Sequence, residues 1–441
     1  MAGVVRGTFG VSFAFFLHGS GITTFAAWVA VPSIGWEVIM GFASGLVTFR
    51  RYFMTGKHPR ALDEKWLERV ASCAFGKYGA AESDGVETGW IVPTHLFDVD
   101  FGAAERISAG PFIYLAMRMD RTTAPSAIVQ SYRKIEEAAA LEASGREHLS
   151  KLDRRAAREA AQDRADKEAR AGAFRRVSAH PVVIDLREGV VYFGNLGATA
   201  SDKMVALFAD TFETTLAPAT AEEMAYRIAQ RNDAERAFDD AAPEFLVSAP
   251  DVATESGAAG IAAFPGTDRL FFGREFLAWL WFVVDTREGV VELDLGESLT
   301  LAIDRLMHLE CGFGVTGKDS IRTDAPARAP ESKAALRIGK LPTKMGLLLG
   351  GLHGEWSLTL DGPSLNVSSL ALPQTEEPDP SAALEERFGH MRNAAQTLDR
   401  LYAAFIRRRL SAEWGDVCAA MRRWAALDAR AARTSVQLAT A

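Results

Sequence analysis

Residues 126–176 are the part of this chain that most limits how it can fold. The stretch is rich in Ala, Glu, Arg and Lys, and its apolar face is too thin for deep burial. Pro125 opens it in a position that suits a helix's first turn. Gly145 divides it into two segments. A pair of solvated helices, a protruding arm, is the expectation for 125–179. Between Arg133 and Arg176 stand twelve basic residues against nine acidic ones.

The chain flanking this arm has the material for a large core. Of 441 residues, 48% are hydrophobic and 24% charged, which excludes wholesale disorder. The net charge of −8 excludes a simple polybasic protein. It leaves nucleic-acid binding open, because local placement of charge decides that. Cys73, Cys311 and Cys418 are too widely spaced for a disulfide framework or a zinc site, and a reducing cytosol is the simplest compartment.

Before the arm, residues 40–54 read as a strand and 63–75 as a helix. Trp66, Val70 and Cys73 recur at helical spacing, with Asp63 as the cap. Residues 89–92 and 112–119 read as strands. Behind the arm, 182–193 reads as a hairpin turning at Glu188-Gly189, 201–212 as an amphipathic helix, and 220–240 as helical. Residues 241–267, rich in Ala, Pro, Gly and Ser, read as a linker. The run 269–284 reads as a strand, followed by another at 289–293. A hairpin is expected around Asp361-Gly362. Helices at 381–410, with Leu384, Phe388, Met391, Leu398, Tyr402 and Phe405 in one stripe, and at 414–429 close the chain.

The sequence Asp185-Leu-Arg-Glu-Gly-Val-Val recurs 100 residues later as Asp285-Thr-Arg-Glu-Gly-Val-Val. The echo reads as a mark of two halves built on one plan, with a coincidence of hairpin chemistry as the alternative. The expected class is therefore α+β: two similar sheet-and-helix halves, a helical arm and a C-terminal helical tail. The divisions are 1–39, 40–124, 125–179, 180–240, 241–267, 268–375 and 376–441. The first 39 residues carry two formal charges, Arg6 and Glu37. An N-terminal extension or a start placed upstream of Met40 is the leading reading, with a membrane anchor or a signal peptide as alternatives.

No catalytic constellation rises above chance matches. Gly312-Phe-Gly-Val-Thr-Gly317-Lys318 fits a phosphate-loop pattern, but Asp319 stands where a hydroxyl is needed, and an irregular loop is the better account. The eight histidines are scattered, and a turn between strands accounts for 350–354 better than an oxyanion loop. Basic residues beside strands are more informative. Lys340 and Lys344 sit four apart at a strand entrance, Arg274 follows Phe272-Gly273, and Arg133, Lys134, Arg154, Arg155 and Arg158 lie on the arm. Such cations suffice for sequence-independent phosphate contacts.

Over roughly residues 40–410 the order of segments resembles the recombination-associated protein RdgC family. Gly89-Trp90-Ile-Val92-Pro93 is similar to its G-W-V-x-P element. Phe112 to Arg118, then Pro125-Ser-Ala-Ile-Val129, is similar to its strand leading into P-A-S-V-V. The charged insertion ending at Ala173-Phe174, the Val183-Ile184-Asp185 hairpin with Gly189, and Gly339-Lys340 with Thr343-Lys344 before the closing hairpin follow in the family's order. The resemblance implies a non-enzymatic, cytosolic, nucleoid-associated homodimer. It would close as a ring around double-stranded DNA, bind without sequence preference and restrain RecA-promoted exchange. No cofactor, metal or small-molecule substrate is implied. Carried over, Lys340 and Lys344 would face the hole, and Phe174 would lie at the arm tip, in the dimer interface. The 241–267 linker, the aromatic run 276–281 and the helical tail depart from the family. A protein-interaction scaffold of the same fold that has lost DNA binding is the alternative.

Overall fold

The computed structural model describes residues 41–56, 60–78, 85–244, 246, 269–311, 317–351 and 354–439. The hydrophobic first 39 residues, and nearly all of the expected linker, lie outside them. Elements run β1 (Val47–Thr55), α1 (Glu64–Ser72), β2 (Val86–Ile91), β3 (Ser108–Ala109), β4 (Phe112–Arg121), α2 (Ser126–Ser144) and α3 (Lys151–Arg170). Then come β5 (Arg176–Asp185), β6 (Val190–Phe193), α4 (Ala198–Phe212), β7 (Thr215–Pro218), α5 (Ala221–Arg231) and α6 (Glu235–Asp239). The later chain gives α7 (Phe271–Thr286), β8 (Val290–Glu292), β9 (Ser298–Cys311), β10 (Lys318–Ile321), α8 (Pro330–Arg337), β11 (Lys340–Gly351), β12 (Gly354–Asp361) and β13 (Val367–Leu370). Helices α9 (Pro380–Arg409) and α10 (Trp414–Ala439) follow.

The strands join in one antiparallel sheet, ordered β10-β9-β11-β12-β13-β1-β6-β5-β4-β2, with β3, β7 and β8 paired off that path. Read inward from each outer edge, the halves share a plan. In each, a long strand is followed by an excursion that includes helix, then by a long antiparallel neighbour and a shorter strand. The arm α2–α3 is that excursion between β4 and β5; β10 and α8 supply it between β9 and β11. Strand β1 is the seam, pairing with β13 at Val47 and Phe49 and with β6 at Arg50 to Phe53.

The fold is α+β with two halves, but the seven-residue echo does not mark equivalent positions. Asp185 ends β5 and turns through Gly189 into β6. Asp285 lies in the last turn of a helix, and the chain turns through Glu288 and Gly289, both at positive φ, into β8. The counterpart of the β5–β6 pair is β11–β12, whose register ends with Gly351 opposite Gly354. Local turn chemistry explains the repeat.

The first-half strands are buried on both faces. On one, Val70 of α1 and Met204, Leu207, Phe208 and Phe212 of α4 pack on Trp90, Ile113, Leu115, Met117 and Val182. Asp63 caps α1 as expected, accepting from the Trp66 amide at 2.8 Å. On the other face, Phe388 of α9 meets Phe112 and Tyr114 edge-on, with ring centroids 5.7 and 5.1 Å apart. In the second half, Trp356, Leu358 and Leu360 of β12 point inward beneath the helices, while Glu355, Ser357 and Thr359 point outward. Helices α7 and α8 cover the inner face of β9 and β11, and the outer face carries no helix among the described residues.

Three element expectations need correction. The run 269–284 is the helix α7, not a strand. Every residue from Phe271 to Val283 except Arg274 is buried, so it shows no polar face from which a period could be read. Aromatic and β-branched composition favoured strand, but burial on every side permits a helix equally. Strand β1 starts at Val47, after the turn residues 41–45, rather than at 40. Residues 220–240 form two helices, interrupted at 232–234 where Asp233 adopts positive φ.

Candidate nucleic-acid interface

The expected contact residues fall in two places. Arg274, Lys340 and Lys344 converge at one end of the second-half sheet. Antiparallel register sets Lys344 opposite His308 on β9 and opposite Asp361 on β12. Lys318 and Arg274 share Glu310, at 3.5 and 3.6 Å. Lys340 donates to Asp319 at 2.8 Å, and its side chain is only 8% exposed. Lys340 is opposite Cys311, on the side that the helices cover, so its stem is buried and its charge is spent on Asp319. Here the structure corrects the reading of Lys340 as a solvent-facing cation. Burial, with Lys344 and Arg322 nearby, pushes the His308 imidazole below its ordinary range and favours the neutral form. Burial likewise lowers Arg274, against the pull of Glu310 and Asp361. The three cations do come together, but around three carboxylates.

The other five lie on the arm, whose helices pack antiparallel. Ala157, Ala161, Ala165 and Ala169 are the buried stripe of α3, small enough for a close approach to α2. Ser150 caps α3 in a reciprocal box with Asp153, and Gly145 ends α2 in the left-handed conformation. Arg133 and Arg155 are held by Glu137 and Glu159 one turn on, at 2.7 and 2.9 Å. Lys134, Arg154 and Arg158 are exposed, with no ion pair among the described residues. Phe174 is not at the tip. The tip is the turn 145–150; Phe174 follows α3 at the root, at φ +64, where the chain re-enters the sheet.

The root carries the residues that sequence reasoning did not single out. Arg121, the last residue of β4, lies directly opposite Arg176, the first of β5. Neither makes an ion pair among the described residues, and Arg176 is exposed. Like charges in this register repel unless an anion sits with them. Beside them Arg118 and Arg175 both hold Asp120, at 2.7 and 2.5 Å. Burial works against the Asp120 charge, yet these hydrogen bonds keep its carboxyl below the usual carboxylate range. The signal was available: strands that enter and leave one arm pair antiparallel, so arginines at its two borders must meet.

Of the phosphate-loop pattern, residues 312–316 lie outside the described residues. Lys318 begins the strand β10, so no helix N-terminus follows it. Among the described residues, no group of three His, Cys, Asp or Glu side chains could hold a metal ion, and no helix is long and apolar enough to cross a membrane. No protein-family model matches the chain, and no curated protein matches it.

Proposed function

We propose that the chain binds the sugar–phosphate backbone of double-stranded DNA without sequence preference. The observation that carries this reading is the opposed, unpaired Arg121–Arg176 couple at the root of an arm with exposed cations. Helix α3 has 20 residues, so it runs about 30 Å, close to the ~34 Å of one turn of duplex. Lys134, Arg154 and Arg158 extend the root's charge along it. Homodimerisation into a ring, nucleoid association and restraint of a RecA-type recombinase follow from the family resemblance. No catalytic step is part of the proposal.

The test is binding to plain duplex DNA across a salt series, with Arg121→Glu/Arg176→Glu beside the unaltered chain. The expected log–log slope falls by about 0.9 for each phosphate that the variant no longer neutralises. Unchanged affinity and slope in the variant would remove the root from the interface. A mass measurement of the free protein checks the homodimer; a monomer would contradict it. The scaffold reading keeps one specific support. Four of the eight expected contact cations, Lys340, Arg274, Arg133 and Arg155, already have carboxylate partners. It predicts no duplex binding even at low salt.

A further inference from the structure

A second basic feature is concave and separate from the arm. Between α5, α9 and the β1–β6 strands lies a cleft of about 490 Å³, within the ordinary size of small-molecule sites. Six arginines line it: Arg51, Arg227, Arg231, Arg392, Arg400 and Arg407. Against them stand three carboxylates, Glu188, Asp294 and Asp399.

The arginines are of two kinds. Arg51 and Arg392 form the floor. Arg51 donates from both terminal nitrogens to Asp399, at 2.8 and 2.7 Å. Its side chain is 3% exposed, and its buried Nε has no hydrogen-bond partner among the described residues. Arg392 lies 3.3 Å from buried Asp185. The rim arginines are nearer solvent, and three of the four are held only by partly exposed carboxylates. Arg231 is exposed and has no ion pair among the described residues. Arg227 lies over the Phe53 ring at 4.1 Å and pairs with Glu223 one turn before it at 2.6 Å, both side chains about one-third exposed. Arg400 and Arg407 are met by Glu297 and Asp294, each at 2.5 Å, from the 3-10 turn that precedes β9. Their side chains are about one-third exposed, and surface pairs of this kind contribute little. Guanidinium forks take phosphate oxygens in pairs, so an anion carrying several charges can displace two single carboxylates.

We infer that this cleft binds a small molecule bearing linked phosphate groups, with Asp294 and Glu297 occupying part of the site until it arrives. Free polyphosphate and a nucleoside polyphosphate share that chemistry; half-buried Phe53 in the lining offers apolar surface only a nucleoside would use. The inference does not rest on the DNA reading.

The test is calorimetric titration of the full chain with inorganic triphosphate and, separately, with ATP, both without magnesium at low salt. Saturable binding is expected for both. Tighter binding of ATP assigns the nucleoside as the source, and equal binding assigns the phosphates alone. Arg227→Glu/Arg231→Glu should weaken binding about tenfold or more, while Lys65→Glu, exposed on α1 and outside the cleft, leaves it unchanged. Asp294→Asn should tighten it, and this variant decides the matter if the arginine variant does not fold. Absence of saturable binding by either probe, or equal affinity in a folded Arg227→Glu/Arg231→Glu chain, overturns the assignment. So does equal affinity in Asp294→Asn.

Discussion

The two ends of the sheet are built on one plan but finished differently. The first-half strands are sealed between α1 and α4 on one face and α9 on the other. The second-half strands have helices on one face and leave the other to side chains such as Glu355, Ser357 and Thr359. Their sequences show the difference. Strands buried twice are continuous apolar runs, as in Phe112 to Met117 and Val190 to Phe193; strands buried once alternate, as in Glu355 to Leu360. The expected cations at that end of the sheet are nevertheless set beside acids, Lys340 by Asp319 and Arg274 by Glu310. Two arginines without an ion pair among the described residues, Arg121 and Arg176, face each other at the root of the arm instead.

The sharpest way to break the comparison is to remove the second cover of the first half. Phe388 is fully buried against Phe112 and Tyr114. Phe388→Ala should cost about 3–5 kcal/mol. Leu348→Ala, on the open face and 41% exposed, should change stability by no more than about 0.5 kcal/mol. Denaturant unfolding of both variants checks this. Similar losses would mean that the open face is covered.

Next comes the single cover of the second half. Gly273 of α7 sits so close to the turn after β12 that an added Cβ would lie 2.1 Å from the Gly362 carbonyl oxygen. Gly273→Ala should therefore cost about 1–3 kcal/mol by forcing helix and turn apart, read from the thermal or denaturant midpoint. An unchanged midpoint would show that α7 has slack.

The smallest effect concerns the joint between the covers. Glu275 of α7 accepts from Arg409 of α9 at 2.6 Å. Burial pushes its carboxyl up to about 7, against the opposing pull of Arg409. With the native value raised, the group's contribution is full below its ordinary value and is lost as pH rises through about 7. It can supply a slope of at most about 1.4 kcal/mol per pH unit. Stability measured at several pH values should show that slope in the unaltered chain, and Glu275→Gln should lack it. Identical pH profiles would mean that Glu275 does not titrate in this range.

Much of this was legible beforehand. The arm followed from a thin apolar face, a proline and a dividing glycine. The β5–β6 hairpin, α4, α9 and the Asp63 cap followed from period and turn chemistry. Helix α7 did not, because periodicity carries information only where one face is polar, and Phe271 to Val283 has almost none. The candidate interface was half legible. Sequence places Lys340 and Lys344 together but cannot show that Asp319 and Asp361 come with them. Arg121 and Arg176 are 55 positions apart, and only the pairing of β4 with β5 sets them face to face.

The central claim is that uncompensated cations at the arm and its root hold duplex DNA by its phosphates. The most direct measurement is the affinity of the unaltered chain for plain duplex between about 50 and 200 mM salt. The account predicts tight binding at the low end and a steep linear decline of log affinity with log salt. Binding that is absent, or indifferent to salt over that range, would contradict it.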